Sequence, residues 1–166
     1  FFHPHPANPD PLWSRGLGDV YKRQIYTRRQ FGKIIIVGIA MHITKNFTTN
    51  EMACGCCGRA EMNEEFMRVL QSIRDEMQRP LKITSGFRCQ NHNLKVSSTG
   101  KNGPHTFAKA ADILISGADA MRLFAVAQKH GVSGVGMSQR GDHAKRFVHL
   151  DILSPDEGPR PTVWTY

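Results

Sequence analysis

The sequence predicts one α+β domain, built as a small, mainly antiparallel sheet with helices on one face. Three observations carry that reading. Asn63–Gln78 places Phe66, Val69, Leu70, Ile73 and Met77 at three- and four-residue steps, the stripe of an amphipathic helix. Ala118–His130 repeats the pattern with Ala120, Leu123, Phe124 and Ala127. Ala110–Ile115 and Arg146–Leu153 instead alternate with a period of two, as half-buried strands do.

Taken in order, the chain changes character at Met41. Residues 1–40 begin with the Pro-rich FFHPHPANPDPLW and continue with SRGLGDVYKRQ, which resembles translated adapter sequence. They predict a disordered or non-native leader, with Met41 as the natural start of a domain over 41–166. The apolar run Lys33–Ala40 leaves a targeting segment as the rival reading. Past Met41, Thr48 or Thr49 is suited to cap a helix. Pro80 should end the first long helix, and Leu81–Thr84 should form a short strand turned by Ser85-Gly86. Gln90–Pro104 reads as a long polar loop, and Gly131 closes the second helix. Val132–Met137 is a short strand, Ser138–Lys145 a polar loop, and the segment after Leu153, with Pro155, Pro159 and Pro161, a terminal meander.

Composition bounds the function. The formal net charge is +8, but residues 1–40 hold half of it, so the remainder points weakly to any anionic partner. Nucleic-acid binding rests on charge alone, with no aromatic–basic interleaving to support it. No apolar run reaches helix length, so no membrane span is expected. The four cysteines, Cys54, Cys56, Cys57 and Cys89, fit a structural zinc, a disulfide with two thiols, or reduced buried thiols. If any pair forms, Cys54–Cys89 is the expected one.

The alternation on the last strand exposes the chemistry. Val148, Leu150 and Ile152 need the core, which forces Phe147, His149 and Asp151 onto the other face. Asp112 shares its strand face with Ala110 and Leu114, and His105 ends the polar loop. Two His and one Asp from separate elements make a three-ligand zinc site with a fourth position for water. The competing reading is a solvated strand face.

ITSGFRC, the spacing of His105 and Asp112, FVHLD and the closing PTVWTY resemble the zinc D-alanyl-D-alanine carboxypeptidase family over Phe47–Tyr166. That family includes phage L-alanyl-D-glutamate endopeptidases and shares its fold core with the hedgehog signalling domain. The resemblance implies Zn2+ on His105, Asp112 and His149, opposite the helices, and a substrate-binding role for Arg88. It implies hydrolysis of D-amino-acid-containing peptidoglycan stem peptides by a phage or prophage enzyme; a monomer without nucleic-acid or membrane partners is the accompanying expectation. With no convincing signal peptide, host cytoplasm with release at lysis, or a phage particle, are the locations it leaves open.

The chain departs from the pattern where relatives keep an acid or a His just before the last zinc His, since Arg146 and Phe147 stand there. Gly103 and Ala108 are smaller departures. Asp151 is then the first choice as general base, or as a partner orienting a ligand His. Asp142 and His143 are the alternatives. The missing acid keeps a second function in view, a non-enzymatic zinc-binding structural domain of a phage particle.

Overall fold

A computed structural model of the chain describes residues 29–30, 33–34 and 41–166. The expected leader over 1–40 lies outside the described residues, apart from one short antiparallel pair, β1 (Arg29–Gln30) and β2 (Lys33–Ile34). Residues 41–166 belong to a separate unit. Among the described residues, no helix is long and apolar enough to cross a membrane.

Helix α1 (Thr49–Met52) begins in a capping box. Thr48 Oγ1 accepts from the Glu51 N–H, and the Glu51 carboxylate accepts from the Thr48 N–H at 2.9 Å. Helix α2 (Glu64–Met77) is capped by Asn63, whose Oδ1 accepts from the Phe66 N–H at 3.0 Å. Phe66, Met67, Leu70, Ile73 and Met77 are buried along it, while Val69 is only half-buried. Gln78 ends the helix in the left-handed conformation (φ 54°), so Pro80 bars re-entry rather than making the stop.

Strand β3 (Lys82–Ser85) leads to helix α3 (Gln90–Val96), then to β4 (Ala110–Leu114) and helix α4 (Gly117–Lys129). Strand β5 (Gly134–Ser138), a single 3-10 turn at His143–Lys145, β6 (Phe147–Asp151) and β7 (Thr162–Thr165) complete the fold. The sheet runs β3-β4-β6-β5-β7, and only the β5–β7 pairing is parallel. The architecture is therefore the expected α+β one with a mainly antiparallel sheet.

The core explains the register. Ala111, Ile113, Val148 and Leu150 join Leu70, Ile73, Leu123 and Ala127 in one buried cluster. Each large aliphatic side chain buried there contributes about 1.5–3 kcal/mol. A one-residue slip of β6 would lose that burial and turn His149 and Asp151 into the helical layer. The ladder instead pairs Asp112 with His149 directly across β4 and β6.

Two expectations are corrected. Gln90–Val96 is helical, not loop: Cys89 caps it, its Sγ accepting from the His92 N–H at 3.4 Å. The helix leaves Leu94 and Val96 exposed and buries Asn93, so it has no apolar stripe to announce it. The Asn93 amide donates to Thr99 Oγ1 at 3.0 Å and the Gly100 carbonyl at 2.8 Å, holding the following loop. The terminal segment is likewise not all meander, since Thr162–Thr165 adds a strand beside β5. Pro161 precedes that strand, where a missing N–H costs no ladder bond.

Candidate metal centre

Three elements bring His105, Asp112 and His149 to one point. Asp112 and His149 come from the paired strands β4 and β6, and His105 from the loop after α3. His149 Nδ1 lies 2.9 Å from Asp112 Oδ1 and 3.2 Å from His105 Nε2. His105 Nε2 lies 3.3 Å from the same Asp112 oxygen. Tetrahedral zinc, with bonds of about 2.0–2.1 Å, holds its ligand atoms about 3.3–3.4 Å apart.

Each ring's other nitrogen is committed. His105 Nδ1 donates to the Gly86 carbonyl at 2.7 Å, and a carbonyl can only accept. Gly86 can come that close because a side chain there would collide with Met52, whose backbone lies 2.7 Å from the Cβ position. His149 Nε2 faces the Asp151 carboxylate at 3.0 Å and can donate to it. In the neutral forms with the protons on His105 Nδ1 and His149 Nε2, the two rings aim lone pairs at the Asp112 oxygen and at each other. A proton can satisfy one edge of that triangle; a cation satisfies all three corners, so the donor set fits a zinc ion.

In the metal-free chain the flanking carboxylates favour a proton on His149, the positive charge that a bound cation would replace. Burial pushes the His105 imidazole down, and contact with Asp112 offsets only part of that. Burial also opposes charge on His149, but hydrogen bonds to Asp112 and Asp151 prevail and raise it. Asp112 is driven well below the ordinary carboxylate range, because both His contacts outweigh its burial. All three residues are buried.

Asp151 stands behind His149 and is fully buried. Arg160 grips it with two bonds, Nε to Oδ1 at 2.8 Å and Nη2 to Oδ2 at 2.6 Å. The Leu153 N–H adds a third at 3.2 Å. Burial works against its charge, but His149 and Arg160 prevail and hold its carboxyl at about 2. With both oxygens occupied and no exposed face, the geometry suits a partner that orients His149 and leaves no room for a base acting on water. Asp142 caps its own turn through the Ala144 N–H at 3.0 Å. Neither Asp142 nor His143 lines the cleft.

That cleft, of about 480 Å3, is lined by Arg88, His105, His149, Glu157, Trp164 and Tyr166 among others. The Arg88 Nη2 donates to Asp112 Oδ2, and its Nε donates to Ser85 Oγ at 2.8 Å. Its Nη1 hydrogens have no acceptor among the described residues. Trp164 packs against His149 with ring centroids 5.2 Å apart. Gly136 makes space for that indole, which lies 2.7 Å from where a Cβ would stand. Glu157 is tied down, accepting from Lys109 Nζ at 2.6 Å and from the Ser154 N–H at 3.0 Å.

Sequence reasoning did not single out Arg160, Trp164 or Glu157. Trp164 was within reach as part of the PTVWTY motif. Arg160 had no local signal, because its partner lies nine positions away on another element.

A family model described as Peptidase M15 matches residues 43–151, about two thirds of the chain, and spans all three candidate ligands. Among curated proteins, no sequence matches. The chain belongs to the peptidase M15 family, whose members are zinc-dependent peptidases.

Proposed function

We propose that His105 Nε2, Asp112 Oδ1 and His149 Nδ1 hold one zinc ion, and that the cleft hydrolyses D-amino-acid-containing peptide bonds of peptidoglycan stems. The observation that carries this is the convergence of three candidate ligand atoms within 3.3 Å of one another, with each ring's other nitrogen facing an acceptor of its own. Bound zinc supplies a polarised carbonyl and an activated water. The chain's own groups do the rest. The Asp151–Arg160 pair holds the His149 tautomer that points Nδ1 inward. Arg88, fixed by Ser85 and Asp112, offers its Nη1 hydrogens to a substrate carboxylate or carbonyl. Trp164 covers one side of His149 and keeps bulk water from it. A phage or prophage wall-lysis role is the biological setting that the likeness to endopeptidases of phage supports.

One observation favours a second reading, a zinc-binding domain without turnover. Glu157, the carboxylate that lines the cleft, is occupied by Lys109 and Ser154, and Asp151 is enclosed. Digestion of purified muropeptides separates the two. Cleavage that stops with a chelator and returns with zinc supports the peptidase. Intact muropeptides with a zinc-loaded chain support the binding domain.

A further inference from the structure

The cysteines gather at a second place, away from the cleft. Cys54, Cys57 and Cys89 each offer a sulfur within 4.8 Å of the others. His92 Nδ1 lies 3.3 Å from Cys54 Sγ. All the cysteines are free, and Cys54 is buried. The spacing is C-x2-C for Cys54 and Cys57, and C-x2-H for Cys89 and His92, which is the pairing of structural zinc sites.

The backbone is shaped for it twice over. The first turn runs from Cys54 to Gly58. The turn is tight: the Gly58 N–H donates to the Cys54 carbonyl at 2.8 Å, and Gly58 takes φ +73°, a conformation glycine adopts without strain. In the second turn, the His92 N–H donates to Cys89 Sγ at 3.4 Å. The two turns are joined by the Cys89 N–H, which donates to Cys54 Sγ at 3.4 Å. Amide donors converging on sulfur favour a charged thiolate over a neutral thiol. Such an arrangement stabilises a metal-bound sulfur, and at Cys89 it caps α3 as well.

We propose that Cys54, Cys57, Cys89 and His92 form a closed structural site for one zinc ion. Four protein ligands leave no open position, in contrast to the three-ligand centre in the cleft. Binding would release the thiol protons and draw the loop after α1 onto the start of α3. Arg88 lies in the joined segment, one residue before Cys89, and the Phe87 N–H already donates to the Met52 carbonyl at 2.9 Å. The metal would thus brace the turn that presents the cleft's arginine. Cys56 is the rival fourth donor, because its sulfur lies 3.8 Å from Cys89 Sγ. Cys56 is exposed, as Cys57 is, and neither it nor His92 joins the mutually close set of Cys54, Cys57 and Cys89; His92 is preferred for its 3.3 Å approach to the buried Cys54 sulfur. This site stands independently of the function proposed for the cleft.

The test takes the whole purified chain, measures its zinc content, then strips it and titrates it with Co(II). The site predicts about two equivalents of zinc per chain, one per centre. It also predicts sulfur-to-cobalt charge-transfer absorption, which His and Asp ligands cannot produce. Cys57→Ser or Cys89→Ser should abolish that absorption and leave about one equivalent of zinc. His105→Ala should keep the absorption while losing the other equivalent. Cys56→Ser should change neither, and His92→Ala should weaken cobalt binding at least ~10-fold. A wild-type chain that shows no sulfur charge transfer, with every thiol still reactive after cobalt is added, would overturn the site. Absorption lost in Cys56→Ser but unchanged in His92→Ala would overturn the donor set. The wild-type spectrum decides the matter even where a cysteine variant does not fold.

Discussion

Asp151 and Arg160 form a two-bond ion pair, at 2.8 and 2.6 Å, directly behind the ring of His149. Both side chains are almost without exposure, so the charge of each depends on the other. The pair anchors the Nε2 side of His149, which leaves Nδ1 facing Asp112 and His105.

Asp151→Asn tests that dependence. The amide leaves Arg160 buried without its counter-charge, which costs about 3–5 kcal/mol of stability in comparable pairs. Removing a partner that orients a metal-binding His typically weakens metal affinity about 10–100-fold. A zinc competition assay and a denaturant titration should therefore both respond. Undiminished zinc affinity with a collapse of turnover alone would return Asp151 to the role of general base.

The same pair gives the metal-free protein an acid limit. The Asp151 carboxyl is depressed in the folded chain to about 2, so its stabilisation is complete above the unfolded value near 4. It should fade as pH falls from about 4 towards about 2, by roughly 2 kcal/mol in all. Acid titration of Asp151→Asn, compared with wild type under chelation, should show a flatter loss over that window. Parallel curves would assign the acid sensitivity to other carboxylates.

Arg88→Lys keeps a charge but removes the planar fork. Its contacts to Ser85 and Asp112 leave Nη1 for substrate, so the change should lower kcat/KM about 10–100-fold, chiefly through KM, with zinc retained. An unchanged KM would mean that Arg88 only supports Asp112.

Gly136→Ala should disturb the cleft without touching a ligand. The new methyl meets the Trp164 indole at 2.7 Å, and overpacking of that kind costs about 1–3 kcal/mol. A shift in tryptophan emission together with a lower Tm is expected; unchanged emission would show that the indole has room to move.

Much of the fold was legible because burial imposes a period. Val148 and Leu150 could satisfy the core only by turning His149 and Asp151 the other way, and Ala111 and Ile113 do the same for Asp112. The convergence of His105 with that pair was legible through the family likeness and not through any period. What escaped was held by polar contacts. Helix α3 is anchored by Cys89 and Asn93, with its apolar Leu94 and Val96 exposed, and so left no stripe to read. Arg160 finds Asp151 across the fold, an encounter that no local spacing records.

The most direct measurement is anomalous diffraction at the zinc edge from crystals of the whole chain. The account predicts a peak about 2.0–2.2 Å from each of His105 Nε2, Asp112 Oδ1 and His149 Nδ1, with an open position facing the cleft. A zinc-replete crystal with no peak at that point would contradict it.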